Sequence, residues 1–83
     1  MYKRQVKADP DAWPANSRLD QVKAIQRLLQ ELKFYNGTID GQVANNTRNA
    51  IREYERLAGI APAGEPTQAL FESLKEMRKL MSR

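Results

Sequence analysis

Three stretches of this sequence repeat apolar residues at the spacing of an α-helix, and two connections rich in glycine and proline separate them. The stretches lie at 17–33, 46–58 and 66–81. A repeat of three to four residues places each apolar set on one face of its helix. We therefore predict an all-α fold in which three amphipathic helices form a compact bundle behind an irregular N-terminal leader.

The apolar residues on these three faces form the predicted core. Ser17 is expected to cap the first helix, with Asp20 as its capping-box acid. Gly59 is expected to end the second helix, and Pro66 to lie in the first turn of the third. The predicted core residues, in chain order, are Val22, Ile25, Leu28, Leu29, Leu32, Ala50, Ile51, Tyr54, Leu57, Leu70, Phe71, Leu74, Met77, Leu80 and Met81.

The first connection, YNGTIDG at 35–41, holds Gly37 and Gly41, two of the four glycines in the chain. Asn-Gly and Asp-Gly mark tight turns because glycine adopts positive φ without penalty. A hairpin of two very short strands is an alternative for the same residues. We expect Asp40 to accept a backbone N–H bond two residues on, and Thr47 to bond back to the loop. Gly37, Asp40, Gly41 and Thr47 are therefore assigned to the architecture of the loop.

The composition excludes several kinds of chemistry. The chain contains no histidine and no cysteine, which removes disulfides, thiolate metal sites and the usual catalytic triads. The pattern places no second carboxylate near Asp40, so a glycosidase pair is not predicted. We expect no catalytic residue, no metal and no cofactor.

The charge distribution argues against a nucleic-acid partner. The net charge is +4, but residues 1–7 and 75–83 carry +3 each, so residues 8–74 sum to −2. A nucleic-acid binder needs its basic face on the fold itself. The connection GIAPAGE is also too long for a helix-turn-helix turn. No apolar run approaches the roughly 18 residues of a membrane span, so no transmembrane segment is expected.

The ordered residues from Val22 to Leu74 resemble the peptidoglycan-binding-like domain family, a three-helix module attached to bacterial cell-wall enzymes and envelope proteins. Three departures from the family's usual residues stand out: Lys33 for glycine, Val43-Ala44 for Phe-Gly, and Tyr54-Glu55 for Phe-Gln. The residues that carry the resemblance are Ile25-Gln26, Leu29, Leu32, Tyr35-x-Gly37-x-Ile39-Asp40-Gly41, Thr47-x-x-Ala50-Ile51-x-x-Tyr54, Gly59-Ile60 and Gly64-x-x-Thr67-x-x-Leu70.

We place the domain at 17–74, after a leader at 1–16 and before a basic extension of the third helix at 75–83. The resemblance implies a non-catalytic module that binds peptidoglycan and targets or anchors a larger exported protein in the bacterial envelope, in the periplasm or cell wall. Glycan strands and stem peptides offer hydroxyl, amide and carboxylate groups, and arginine suits carboxylates. The predicted ligand-binding residues are Tyr35, Asn36, Thr38, Asn45, Asn46, Arg48 and Arg52.

Several alternatives stay open at this stage. Tyr35 either packs in the core or is partly exposed, and Trp13 is either a lid on the core or an exposed stacking surface. The stripe of Arg48, Arg52 and Arg56 is either part of the site or a solvated face with an Arg52–Glu55 ion pair.

A different class of function is a protein-interaction or regulatory domain that no longer binds glycan. The pro-domain of matrix metalloproteases resembles this fold and packs on an enzyme. An exposed apolar surface beyond the core would favour this alternative. The third helix and its basic extension are the candidate surface for a protein partner, a second copy or an anionic membrane.

Overall fold

The computed structural model describes residues 12–81, which form three α-helices. Helix α1 spans Arg18–Glu31, α2 spans Asn45–Ala58 and α3 spans Gln68–Met81. Residues 12–81 contain no strand, so the all-α prediction is confirmed and the first connection is not a hairpin. Most of the expected leader (residues 1–11), its three basic side chains and the last two residues of the basic extension lie outside the described residues.

Side-chain caps set the starts of α1 and α3. The Ser17 Oγ accepts the amide N–H of Asp20 at 3.1 Å, which confirms the predicted cap of α1. The reciprocal half of the capping box is absent, because the Ser17 N–H donates to the Pro14 carbonyl at 3.4 Å instead.

Helix α3 begins two residues later than predicted. The Thr67 Oγ1 accepts the N–H of Leu70 at 3.1 Å and so acts as the cap. Pro66 therefore lies before the helix, and its predicted position in the first turn was wrong.

Both α1 and α2 end in a Schellman motif. After α2, Gly59 has φ 78°, and the N–H of Ile60 donates to the Glu55 carbonyl at 2.8 Å. After α1, Lys33 has φ 71°, and the N–H of Phe34 donates to the Leu29 carbonyl at 2.8 Å. Lys33 is thus a non-glycine residue in the left-handed region, at the position where the resembled family usually has glycine.

Helix α1 is the central element and packs against both other helices. The first residue of α1, Arg18, donates to the Pro66 carbonyl just before α3, at 3.4 Å. The last residue, Glu31, pairs with Arg78 near the end of α3 at 3.2 Å. Helices α1 and α3 therefore run parallel, side by side. Helix α2 meets α3 through a hydrogen bond between the Tyr54 and Ser73 hydroxyls.

The core follows the predicted apolar faces closely. Its buried members are Ala24, Ile25, Leu28, Leu29, Leu32, Tyr35, Ala50, Ile51, Tyr54, Leu70, Phe71 and Leu74, with Val22 also buried and Met77 packed at the edge. Leu57, Leu80 and Met81 were predicted to join it but are 66%, 63% and 62% exposed. Leu57 points away because Ala58 takes the inward position, and the last turn of α3 extends past the end of α1.

Trp13 packs over the start of α3. Its ring lies 5.2 Å from that of Phe71, at an interplanar angle of 51°. The Lys75 Nζ lies 5.2 Å from the centre of the same Phe71 ring. Trp13 is half-buried against the core cluster, which favours the lid interpretation over the exposed platform. None of the three helices in this part of the chain combines the length and hydropathy needed to cross a bilayer.

Candidate ligand-binding site

Gln26 of α1 is the centre of a polar network that holds the first connection. Its side chain is completely buried. Its Oε1 accepts the N–H of Gly41 at 2.9 Å. Four acceptors lie within 3.4 Å of its Nε2: the Tyr35 hydroxyl, the Asp40 Oδ1, the Gln42 carbonyl and the Thr47 Oγ1. A single side-chain amide thus joins α1, the connection and the first turn of α2. Gln26 was not among the predicted site residues.

Asp40 closes the turn from within the connection. Its Oδ1 accepts the N–H of Gln42 at 2.9 Å, which is the bond expected of an Asx turn. This backbone N–H, followed by the amide of Gln26, holds the pKa of Asp40 below its usual value. Asp40 therefore stays ionised and serves as an acceptor in the loop.

Thr47 secures the connection from the other side. It is fully buried, and its Oγ1 donates to the Gln42 carbonyl at 3.3 Å while it accepts from Gln26. Its own N–H donates to the Asn46 Oδ1 at 2.9 Å. The hydroxyl thus makes the bond back to the loop that the sequence suggested.

The two glycines of the connection are needed for different reasons. Gly41 has φ +76°, and a Cβ there would clash with the Leu19 side chain. Gly37 is not among the glycines with positive φ, so the predicted conformational reason fails there. The reason at Gly37 is space, because a Cβ would lie 2.8 Å from the Tyr35 ring and 2.9 Å from the Asn46 Nδ2.

Tyr35 lies in the core rather than on the surface. It is 6% exposed, and its hydroxyl donates to the Thr38 carbonyl at 2.7 Å. Of the two placements that the sequence left open, the structure has core packing. The ring of Tyr35 holds the exposed tip formed by Asn36 and Thr38 instead of offering a stacking platform.

The remaining predicted site residues lie around the solvent side of α2. At about 100° per residue, this surface runs from Asn46, beside the tip of the connection, through Asn49 and Asn45 to Arg52 and Arg48. Asn49 was missing from the prediction, although it stands at helical spacing from Asn45; its Oδ1 accepts from the Arg52 Nη1 at 3.3 Å. We call these five residues, Asn45, Asn46, Arg48, Asn49 and Arg52, the polar face of α2.

The two arginines of this face lie beside the second connection. The Arg48 Nη1 is 3.5 Å from the Glu65 Oε2, with both side chains well exposed. The Arg52 guanidinium lies against the backbone of Gly64, where a Cβ would come within 3.0 Å of its Nε. The third arginine of the stripe, Arg56, instead pairs with an exposed acid, Glu53, at 3.4 Å.

The Arg52–Glu55 pair suggested by the sequence does not form. Glu55 turns inward, is 5% exposed, and its Oε1 accepts the N–H groups of Ala63 and Gly64 at 2.8 and 3.0 Å. A buried carboxylate with two backbone donors fixes the second connection against α2. Arg52 is therefore available to Asn49 and to solvent.

Helix α2 starts without a side-chain cap. Ala44 is extended, with φ −97° and ψ −179°, and it has no acceptor for the first N–H groups. The Thr47 N–H donates to the Asn46 Oδ1, and the first two N–H groups, of Asn45 and Asn46, lie at the positive end of the helix dipole, which favours an anionic group. Within residues 12–81, no three acidic side chains come together in an arrangement that could hold a metal ion.

The fold and this surface define the class of protein: a small helical module with a continuous polar surface on one helix. A family model described as "Putative peptidoglycan binding domain" matches residues 18–74, more than half of the chain, and the chain belongs to this family. The domain of this family binds peptidoglycan and is associated with the cell wall.

One curated relative is an enzyme of the cell wall. N-acetylmuramoyl-L-alanine amidase CwlM of Mycobacterium tuberculosis (strain ATCC 25618 / H37Rv) is 42% identical over 45 residues. The match covers 54% of this chain but only 11% of the amidase. The similarity is therefore to a small part of a much longer protein. No solved structure gives a significant match.

Proposed function

We propose that residues 17–74 are a non-catalytic module that holds a larger bacterial envelope protein against peptidoglycan, with residues 75–83 as a basic extension of α3. The polar face of α2, together with the exposed Asn36 and Thr38, is the proposed binding surface. The continuity of that surface carries the proposal: amide and guanidinium groups follow one another around α2 beside a connection fixed by buried hydrogen bonds.

The chemistry of this surface suits peptidoglycan. Asparagine amides both donate and accept, so they can pair with glycan hydroxyls and with the amides of stem peptides. Arg48, Arg52 and the open start of α2 offer positive charge to stem-peptide carboxylates. The long contact of Arg48 with Glu65 is exposed, so a ligand carboxylate can replace it at little cost.

This proposal places the parent protein in the periplasm or cell wall, as an exported or membrane-anchored protein. The module brings no reaction of its own and serves to concentrate its parent on the wall. The relationship to one part of a cell-wall amidase supports this arrangement.

Co-sedimentation with insoluble peptidoglycan sacculi tests the proposal. The purified chain is compared with the double variant Arg48→Ala/Arg52→Ala at low and at physiological salt. The control is Arg27→Ala/Lys33→Ala, which removes the same charge from exposed positions outside the polar face. A second double variant, Asn45→Ala/Asn49→Ala, tests the amides without any change of charge.

We expect the wild-type chain to pellet with sacculi at both salt concentrations, and the control to behave in the same way. Loss of two charged contacts should weaken binding by at least about tenfold. Retention only at low salt, or an equal loss of binding in the control, would refute the proposed surface. The binding would then be non-specific attraction by basic residues.

A second candidate function is protein interaction, and the exposed Leu57, Leu80 and Met81 favour it. In this case a protein in envelope extract would bind the immobilised domain. Binding would be lost with Leu80→Ser/Met81→Ser but kept with Arg48→Ala/Arg52→Ala. The opposite pattern would favour the polar face of α2 and argue against this alternative.

A further inference from the structure

We infer that Gln26 is a positioning residue for the peptidoglycan-binding surface, an inference that rests on the proposed function. Gln26 has no exposed atoms with which to touch a ligand. It bonds instead to the backbone and side chains that lie directly beneath the surface.

Each bond of Gln26 leads to a part of the proposed site. The bond with Thr47 holds the first turn of α2, where Thr47 is also joined to Asn46. The contact with the Tyr35 hydroxyl supports the group that binds the Thr38 carbonyl. The bonds with Gly41 and Gln42 fix the end of the connection that leads into α2. One amide thus sets the distance between the tip of the connection and the polar face of α2.

Other contacts cannot replace this amide. Among residues 12–81, every side-chain hydrogen bond between α1 and residues 35–42 involves Gln26. Ile39 is the aliphatic side chain of the 35–42 stretch that reaches the core, and it is half-buried. Tyr35 and Ile39 pack the first part of the connection against the core, so the directional bonds of Gln26 are what fix its end at residues 40–42.

The arrangement also requires an amide specifically. Three of the contacts of Nε2 are to the Asp40 carboxylate, the Gln42 carbonyl and the Thr47 hydroxyl, so the site demands a donor. The same side chain must accept the Gly41 N–H. Methionine has nearly the same shape but no donor, and an ionised glutamate accepts only.

The test compares three variants with the wild type, and the folded fraction of each is measured first by circular dichroism. Gln26→Met removes the network, and Gln26→Glu replaces the donor by a carboxylate. Leu74→Ala lowers stability from a fully buried site on α3 that takes no part in the hydrogen-bond network of Gln26. Binding to sacculi is then expressed per folded molecule, and backbone amide NMR shifts report where each structure has changed.

We expect Gln26→Met to bind at least about tenfold more weakly per folded molecule, while Leu74→Ala binds like the wild type. The amide shifts of Gly37, Gly41 and Asn46 should move in Gln26→Met, and those of α3 should stay in place. A purely structural role would lower stability without changing binding per folded molecule.

The Gln26→Glu variant supplies a rescue and guards against failure of Gln26→Met to fold. The titratable groups around position 26 are the Asp40 carboxylate and the Tyr35 hydroxyl, with Lys23 close to Asp40. Burial and the Asp40 charge raise the pKa of the introduced carboxyl. Its protonation restores one donor, so binding should recover as the pH falls from about 7 to about 5, while wild-type binding stays level.

Two outcomes overturn the inference separately from the proposed function. If the wild type binds and the Gln26 variants bind equally well per folded molecule, Gln26 has no positioning role. If Leu74→Ala loses binding as strongly, the effect is general destabilisation. A wild-type chain that stays in the supernatant refutes the proposed function and, with it, this inference.

Discussion

The buried carboxylate of Glu55 allows a sharp prediction about the second connection. Both of its hydrogen bonds, from Ala63 and Gly64, end on the same oxygen, Oε1. Glu55→Ala removes the acceptor of two backbone N–H groups, one of them buried. At about 1.5 kcal/mol or more for each bond to a charged group, we expect a loss of about 3 kcal/mol in the free energy of unfolding.

Glu55→Gln should behave very differently. The amide oxygen of glutamine can accept both N–H groups at the position of Oε1, and the other carboxylate oxygen receives neither of these two bonds. We expect this change to cost less than about 1 kcal/mol. The resembled family usually has glutamine here, which agrees with the geometry.

Urea unfolding followed by circular dichroism measures both changes. Glu53→Ala is the control, since this neighbouring acid is exposed and forms a surface ion pair with Arg56; it should cost less than about 0.5 kcal/mol. If Glu55→Gln is as damaging as Glu55→Ala, the charge and not the shared acceptor is what matters. If Glu55→Ala resembles the control, the two bonds contribute nothing to stability and the prediction is wrong.

Three further predictions concern Lys33, just after α1, and Asp40 and Gly41 at the end of the first connection. Lys33→Gly should raise the free energy of unfolding by about 1 kcal/mol, because φ 71° strains every residue except glycine. Lys33→Ala should leave the thermal midpoint almost unchanged. An equal gain in stability from both changes would point to the loss of charge. Gly41→Ala should cost about 2 kcal/mol in urea unfolding, because φ +76° and the Leu19 side chain both oppose a Cβ; a neutral result would show that the turn can relax. The folded-state pKa of Asp40 is lowered, so its ionised form stabilises the fold above its ordinary pKa, and this contribution is lost as the pH falls through the folded-state pKa. The stability advantage of the wild type over Asp40→Asn should therefore shrink between about pH 5 and pH 2, and a constant difference would exclude a role for the charge.

The helices could be predicted because each has a long apolar stripe at a single period. The residues wrongly assigned to the core lie near the C-terminal ends of α2 and α3. Met81 satisfies the period but lies past the end of α1, and Leu57 satisfies it but Ala58 takes the inward position, so both side chains are exposed. Periodicity defines the face of a helix, and only the packed structure defines how far along the helix that face is covered.

Gln26 and Glu55 show what the sequence does not contain. Each is a polar residue at helical spacing from apolar neighbours, Val22 in one case and Ile51 in the other. That position is a signal that the side chain turns inward. The role of each depends on backbone N–H and C=O groups 8 to 16 residues away in sequence, which approach only after the connections have folded.

The same limit applies to the proposed site. The sequence grouped Arg48 and Arg52 with the residues of the first connection, and the helical wheel does put them on a shared solvent side. It could not reveal that both lean toward the second connection, or that Asn49 bridges the gap. It also left Tyr35 open between two placements, because an amphipathic ring suits either one.

The parallel course of α1 and α3 has a mechanical consequence. The described chain enters beside the start of both helices, where Trp13 meets Phe71, and leaves past their far ends. A load transmitted through the chain therefore slides α1 along α3 in shear, and it must strain the core contacts along the helices together. Two antiparallel helices pulled from one end would instead peel apart turn by turn. The fold is thus suited to carry tension along α1 and α3, and the proposed binding surface on α2 takes no part in the contact between these two helices.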